Sequence, residues 1–280
     1  MQVKHYLPKN KMEKPKNNLK IVADHRTRVI LPNMLTLIGV CIGLTSIRFA
    51  LDGKFEFAII AIMFAALIDG LDGRIARLIK GTSKVGKELD SLTDMISFGV
   101  APAFIMYFWV MNNLGRLGWL LCLIYVVCVA LRLARFNVNS NQEPSWKDNF
   151  FEGVPSPAGG ILVMTPLIFS LSGLDQFYVF SLNYNILSVI FFITTSILLI
   201  SKFPTYSFKK IVIRRRTTIF LLFGIILFFG LLLIYTFEII TISSIIYLML
   251  LPISFFHFQK LKKQQKEIEK DENEDLEDVL

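Results

Sequence analysis

Apolar residues are arranged along this chain in eight runs of about 15 to 25 residues, separated by short polar, proline or glycine breaks. A helix needs about 20 apolar residues to cross the hydrocarbon core of a bilayer. Uninterrupted apolar runs of this length are typical of membrane-spanning helices. The pattern therefore predicts an all-α, polytopic membrane helical bundle with spans at residues 31–51, 55–79, 90–111, 117–136, 158–174, 184–201, 217–237 and 239–258.

The composition agrees with this interpretation. Of the 280 residues, 54% are apolar and 19% are charged, whereas a soluble domain carries about 25% charged residues. The mean hydropathy is +0.55. These values exclude an ordinary soluble globular domain.

The net charge of +8 has a topological explanation. In a soluble protein such an excess would suggest a nucleic-acid partner. When the N-terminus is placed in the cytosol, however, only Arg48, Lys54 and Arg116 of the 30 lysines and arginines fall on the far side. Cytoplasmic loops are enriched in Lys and Arg. We therefore expect a cell-membrane protein with both termini in the cytosol and no nucleic-acid partner.

One stretch places charges inside the predicted spans, where they are costly and indicate function. On a helix with about 100° per residue, Asp69, Asp72, Gly73, Ala76 and Arg77 share one face at the cytosolic end of the second span. Leucines and isoleucines of this segment fall on the opposite face. This arrangement predicts a polar face that lines a wet cavity.

A second acidic pair follows at the start of the third span. Asp90 and Asp94 are four residues apart and share a helix face. A short loop through Gly81 and Gly86 would bring the two pairs together at the cytosolic edge of the membrane. Since four convergent carboxylates repel one another, a hard divalent cation would stabilise them, and oxygen ligands favour Mg²⁺ or Mn²⁺.

Four aspartates could hold two such ions about 4 Å apart, an arrangement that clamps phosphate oxygens. Gly73 and Ala76 would leave room for a nucleotide or diphosphate, and Arg77 offers a planar donor to phosphate. Two alternatives remain open from the residues alone. Small residues on membrane helices also serve as packing contacts, and an acidic pair can belong to an ion pathway.

The complete spacing, D-x-x-D-G-x-x-A-R-x8-G-x3-D-x3-D from Asp69 to Asp94, resembles the signature of the CDP-alcohol phosphotransferase family at every fixed position. Within that family the chain is most similar to the membrane-integral phosphatidylserine synthases. Three further segments carry this similarity, namely FGVAPA at 98–103, RLARFN at 132–137 and FFEGVPSPAGG at 150–160. The resemblance extends from about residue 32 to the sixth span.

The resemblance implies a six-helix catalytic core, a homodimer, and a polar cavity that faces the cytosol and opens sideways to lipid. It also implies a direct displacement in which an acceptor hydroxyl attacks the β-phosphorus of a CDP-alcohol and CMP leaves. The expected organisation is a basic cytosolic tail at 1–28, a CDP-alcohol phosphotransferase domain at 29–204, two additional transmembrane helices at 205–258 and a charged cytosolic tail at 259–280.

The same resemblance assigns roles to individual residues. Asp69, Asp72 and Asp90 become metal ligands, and Asp94 becomes both a ligand and the general base. The residues that would bind the CDP-linked lipid are Gly73, Ala76, Arg77, Ser83, Gly86, Asn33 and Thr36.

The leading hypothesis has CDP-diacylglycerol as the donor and L-serine as the acceptor. Arg132 and Arg135 are then candidates for binding the serine carboxylate, with Asn137 as a polar neighbour, although interfacial anchoring would also explain these arginines. Glycerol 3-phosphate or inositol phosphate is an alternative acceptor, which would require a denser basic pocket. A membrane cation transporter is a further alternative, for which we would expect acids near the bilayer midplane and two repeated halves.

Overall fold

A computed structural model describes residues 25–79, 83–139, 150–174, 183–201, 204–206 and 215–277. The N-terminal tail predicted at 1–28 lies outside these residues up to position 24. Within the described residues the chain forms nine α-helices: α1 (His25–Leu51), α2 (Phe55–Leu78), α3 (Lys84–Asp94), α4 (Ala101–Trp109), α5 (Arg116–Asn139), α6 (Ser156–Leu171), α7 (Tyr184–Ile200), α8 (Arg215–Ile234) and α9 (Thr236–Glu277). A π-helical segment, Met95–Val100, joins α3 to α4, so these two helices form one continuous rod.

The helices coincide with the eight apolar runs of the sequence, which confirms the prediction of a polytopic helical membrane protein. Among the described residues, four stretches are long and apolar enough to cross a membrane, namely Ile30–Leu51, Val85–Trp109, Arg116–Val138 and Thr236–Gln259. Helices α6, α7 and α8 contain shorter apolar stretches. The number of eight spans stays a prediction.

Helix α1 packs along α2 and also against α3 and α4. Gly39 and Gly43 allow the close approach on the α3 side. A Cβ atom added at Gly43 would lie 3.1 Å from the Cα of Ser97, and one added at Gly39 would lie 3.2 Å from the Thr93 side chain. Small residues four positions apart permit such contacts between membrane helices. Helix α1 therefore lies against both α2, which carries the first acidic pair, and α3, which carries the second.

The π-helical segment lies at the centre of the core. Its Phe98 is fully buried, and the Phe98 carbonyl accepts a hydrogen bond of 2.6 Å from the hydroxyl of Tyr125 on α5. Gly160 of α6 packs against the same residue, since a Cβ there would lie 3.3 Å from the Phe98 carbonyl oxygen. Single π-helical turns are frequent at functional sites. Here the segment directly follows Asp94.

The C-terminal helices pack around this core. Two short strands, β1 (Phe150–Glu152) and β2 (Pro204–Tyr206), pair antiparallel with Phe150 opposite Tyr206. They connect the chain before α6 to the chain after α7, and β2 also packs against α9. Helix α9 contacts α6 and α8. Most apolar side chains of α8 are exposed, as expected for a helix that faces lipid.

Three boundaries differ clearly from the sequence prediction. Helix α1 begins at His25, six residues before the predicted start of the first span and inside the segment predicted as an N-terminal tail. The third helical run begins at Lys84 instead of residue 90, because Ser83 caps it by accepting a 2.9 Å hydrogen bond from the backbone N–H of Gly86. Gly86 therefore lies in the first turn of α3 and not in a loop. At the other end of the chain, α9 continues as a helix through Glu277, into the segment predicted as a charged tail.

Candidate functional site

Three aspartates from two helices form a compact acidic triad. Asp69 and Asp72 of α2 and Asp90 of α3 each place one carboxylate oxygen within 4.8 Å of the other two. A divalent cation with octahedral oxygen ligands at about 2.1 Å holds those ligands about 3 to 4 Å apart. Small side-chain adjustments would reach this geometry. The triad could therefore bind a metal ion.

Thr36 of α1 fixes one member of the triad. Its hydroxyl lies 2.8 Å from Oδ2 of Asp72 and donates to it. Both side chains are buried, with 4% of Thr36 and 3% of Asp72 exposed. The Thr36 backbone carbonyl in turn lies within 3.5 Å of the Thr93 hydroxyl on α3. Helix α1 thus positions Asp72 and is itself linked to the helix that carries Asp90.

Asp94 belongs to a second polar group, which is adjacent to the triad. Its Oδ2 accepts a 2.8 Å hydrogen bond from the hydroxyl of Ser156, the first residue of α6. That hydroxyl also accepts a hydrogen bond from the guanidinium of Arg132 on α5. Asp69 lies close enough to Asp94 and Asp90 for their negative charges to repel one another. Arg132 is the cation that partly balances this negative charge.

Two buried polar atoms of this group have no hydrogen-bond partner among the described residues: Oδ1 of Asp94 and Nε of Arg132. Buried polar groups are normally paired. One is an acceptor and the other is a donor, and both residues are hydrogen-bonded to Ser156. Such a pair of unsatisfied atoms is typical of a site that a polar ligand completes.

A cavity of about 480 Å³ is lined in part by two members of the triad, Asp72 and Asp90. Gly73 has open space around it, since a Cβ there would meet no atom within 4 Å. At Gly86, by contrast, a Cβ would lie 2.9 Å from the amide oxygen of Asn33. The lining consists of Pro32, Asn33, Thr36, Asp72, Gly73, Ala76, Ser83, Gly86, Lys87 and Asp90.

All the residues that the sequence analysis assigns to the CDP-linked lipid line this cavity, with the exception of Arg77. The Nε of Arg77 donates a 3.0 Å hydrogen bond to the carbonyl of Gly73, one turn earlier on α2, and the side chain is exposed. The shared lining residues Asp72 and Asp90 place the cavity directly against the acidic triad.

The three residues assigned to the acceptor are separated in the structure. Arg132 lies beside Asp94 through Ser156, and its guanidinium lies 5.8 Å from the centre of the Phe136 ring. Arg135 donates a 2.6 Å hydrogen bond to the Ile200 carbonyl at the end of α7. Asn137 bonds to the Ser91 hydroxyl at 2.9 Å. Of the three, Arg132 is the one adjacent to the aspartates.

Ser156 and Lys87 are site residues that the sequence analysis did not assign. Ser156 is the one hydroxyl in FFEGVPSPAGG, where it stands between two prolines at a helix start, and that position was a usable signal. Lys87 precedes Asp90 by three residues and therefore shares its helix face. A lysine in a cytosolic loop is expected from the positive charge of such loops, so nothing in the sequence pattern pointed to a place for Lys87 at the cavity.

Comparisons with known proteins agree with the motif. The family described as CDP-alcohol phosphatidyltransferase matches residues 29–200. The chain is 43% identical over 177 residues to a CDP-diacylglycerol–serine O-phosphatidyltransferase of Mycobacterium leprae, covering 62% of this chain and 57% of that protein. Proteins with the same name are 36% identical in Helicobacter pylori, covering 65% and 74%, and 32% identical in Bacillus subtilis, covering 64% and 92%. The chain thus spans less than two thirds of the mycobacterial relative.

Proposed function

Because the chain belongs to the CDP-alcohol phosphatidyltransferase family, we propose that it transfers the phosphatidyl group of CDP-diacylglycerol to the hydroxyl of L-serine. The products are phosphatidylserine and CMP. The observation that carries this proposal is the cavity that shares Asp72 and Asp90 with the acidic triad. The names of the relatives support serine as the acceptor.

The cavity is the proposed site for the CDP part of the donor. Because Gly73 has no side chain, the backbone of α2 is accessible there, and a diphosphate can approach the triad without a side chain in between. Asn33, Ser83 and Lys87 add polar groups around it. Arg77 reaches this site after rotation away from the Gly73 carbonyl, with which it forms an exposed hydrogen bond.

The family is metal-dependent, and the triad offers the carboxylate oxygens that hard cations prefer. We assign Asp69, Asp72, Asp90 and Asp94 as the ligands, and we favour two Mg²⁺ or Mn²⁺ ions. When bound, these ions would neutralise charge on the diphosphate and on the departing CMP. The contribution of the chain is to hold the carboxylates in place, which Thr36 does for Asp72.

Asp94 is the proposed general base. Ser156 occupies its Oδ2, whereas Oδ1 has no partner among the described residues and is available to the acceptor hydroxyl. A base must lie within hydrogen-bond distance of the proton it removes. An acceptor held on the Arg132 side of Asp94 would meet this requirement. The proton would pass from the serine hydroxyl to Oδ1 as the oxygen attacks phosphorus.

Arg132 is the proposed partner of the acceptor carboxylate. Its unpaired Nε is buried next to Asp94, and a guanidinium binds carboxylates through planar N–H donors. The bonds of Arg135 to α7 and of Asn137 to α3 favour Arg132 for this role. A serine bound here would present its hydroxyl towards Asp94.

We place the enzyme in the cell membrane, with this site at the cytosolic face, and propose that it acts as a homodimer within the lipid bilayer. The proposed domain division at 28, 204 and 258 separates the two tails and the two additional helices from the phosphotransferase domain. The positive charges of the predicted cytosolic loops support the orientation. Light scattering of the protein in nanodiscs measures its oligomeric state.

The test is a parallel assay of the purified full chain with CDP-diacylglycerol and Mg²⁺ or Mn²⁺. Labelled L-serine, glycerol 3-phosphate and inositol phosphate are supplied separately, and CMP release and label in lipid are followed. We expect lipid product with serine alone. Product with a phosphorylated acceptor would overturn serine as the acceptor. No CMP release with any acceptor and either metal would overturn the enzyme function and leave a cation transporter to be tested by ion flux.

A further inference from the structure

The last helix, α9, lies beyond the segment that matches the family, yet it reaches the polar group around Asp94. One face of α9 is buried, and its buried residues follow the helical repeat: Ile240, Thr241, Ser244, Leu251 and Ser254. Tyr247 lies in the middle of this stripe and packs against the core. Its aromatic ring therefore points into the bundle and away from lipid.

The hydroxyl of Tyr247 is buried and has no hydrogen-bond partner among the described residues. A buried tyrosine hydroxyl usually finds one. The side chain lies within electrostatic reach of the Arg132 guanidinium, which also faces Asp94 and Asp69. Asp94 Oδ1, Arg132 Nε and the Tyr247 hydroxyl are thus unsatisfied polar atoms on α3, α5 and α9, and Arg132 interacts electrostatically with both of the other residues.

The chemistry of these atoms is specific. Arg132 Nε and the Tyr247 hydroxyl are both donors, and two donors beside a positive charge suit a carboxylate. Asp94 Oδ1 is an acceptor and suits a hydroxyl or an ammonium group. A small hydroxyamino acid carries a carboxylate, a hydroxyl and an ammonium group within its own length. A single water molecule lacks the negative charge that a carboxylate brings to Arg132.

We propose that Tyr247 completes the acceptor site. Its hydroxyl donates a hydrogen bond to the carboxylate of the amino-acid acceptor that Arg132 binds. This inference rests on the proposed function, because it takes the acceptor to be serine. It gives α9 a role in substrate recognition. A helix outside the family segment would then contribute directly to acceptor specificity.

The test is Tyr247→Phe, which removes the hydroxyl and keeps the buried ring. Because a hydrogen bond to a charged group is lost, we expect KM for serine to rise about tenfold, with KM for CDP-diacylglycerol unchanged. The preference for L-serine over L-serinamide, which lacks the carboxylate, should fall by a similar factor. Equilibrium binding of labelled serine to the purified protein should weaken in parallel.

Thr241→Val is the matched control. It removes another buried hydroxyl without a described partner from the same face of α9, but Thr241 lies six residues, about 9 Å along the helix axis, before Tyr247. We expect this variant to keep the wild-type KM for serine. The melting temperature in detergent shows whether both variants are folded.

An unchanged KM for serine in Tyr247→Phe would overturn the proposal. So would a fall in kcat alone, or equal effects of the two substitutions, since either result would indicate packing. The binding measurement separates this proposal from the proposed function. If the wild-type protein binds serine more tightly than Tyr247→Phe but transfers no phosphatidyl group, only the proposed function is overturned. If it neither binds serine nor transfers a phosphatidyl group, the proposed function and the role of Tyr247 are both overturned.

Discussion

The hydroxyl of Ser156 lies 2.8 Å from Oδ2 of Asp94 and donates a hydrogen bond to it, which joins the start of α6 to the end of α3. Ser156 is fully buried and also accepts a hydrogen bond from Arg132. One small side chain therefore orients both the proposed base and the proposed acceptor-binding cation. Bulk water could not easily replace it.

Ser156→Ala should lower kcat with serine about tenfold. The substitution leaves Oδ2 of Asp94 and one guanidinium nitrogen unpaired in a buried place, and an unmade buried hydrogen bond costs about 1 to 3 kcal/mol. Steady-state CMP release measures the effect. Ser170→Ala is the control on the same helix, because the Ser170 hydroxyl bonds to the Leu167 carbonyl of α6 itself. Equal activity of the two variants would argue against orientation by Ser156.

Asp94→Asn should reduce turnover by about a hundredfold or more, since general-base catalysis contributes about 10² to 10⁴ in rate. The amide keeps the size of the side chain, so binding of CDP-diacylglycerol should persist. Rapid-quench measurement of CMP and equilibrium binding of the labelled donor separate the two effects. Asp52→Asn is a control, because Asp52 pairs with Arg48 at the exposed end of α1. Near-normal turnover in Asp94→Asn would remove Asp94 from the role of base.

Thr36→Val should raise the metal concentration for half-maximal activity about tenfold, as expected when a hydrogen bond that orients a metal ligand is removed. The buried bond from Thr36 to Asp72 is the one lost. Titration with Mg²⁺ and Mn²⁺ after treatment with a chelator measures the shift. Thr45→Val serves as the control, since the exposed Thr45 bonds to the Cys41 carbonyl of its own helix. A wild-type metal titration in Thr36→Val would contradict the ligand role of Asp72.

Gly86→Ala should raise KM for CDP-diacylglycerol about tenfold without changing KM for serine. The new Cβ would lie 2.9 Å from the Asn33 amide oxygen and 3.1 Å from the Ser83 hydroxyl oxygen, so these cavity-lining groups would be displaced, and overpacking costs about 1 to 3 kcal/mol. Gly70→Ala on α2 is the control, because a Cβ there meets no atom within 4 Å. An unchanged KM for the donor would place the nucleotide elsewhere.

The aspartates could be located from the sequence because their positions are set within single helices. A spacing of three or four residues puts Asp69 beside Asp72 and Asp90 beside Asp94 on any α-helix, and the structure brings Asp69, Asp72 and Asp90 together. The same local rule placed Gly73 and Ala76 on the face that lines the cavity. The helical, polytopic character of the chain followed equally well from the runs of apolar residues.

The remaining features depend on contacts between distant parts of the chain. Arg135 donates a hydrogen bond to the last turn of α7, and the RLARFN segment alone does not predict this partner. Tyr247 lies on a helix whose neighbours cannot be read from its own apolar pattern. The predicted start of the third span lies six residues after the start of α3, because the first turns of α3 are polar. The capping hydrogen bond between Ser83 and Gly86 begins the helix at Lys84.

The π-helical segment restricts how the length of this chain can change. A single deletion between Met95 and Val100 could convert the π turn to an α-helical one, and every downstream side chain of α4 would rotate by about 100° relative to Asp94. The contacts of Phe98 with Tyr125 and Gly160 would then be lost while the acidic motif remained intact. Natural variants of this protein should therefore tolerate substitutions in the segment far better than insertions or deletions.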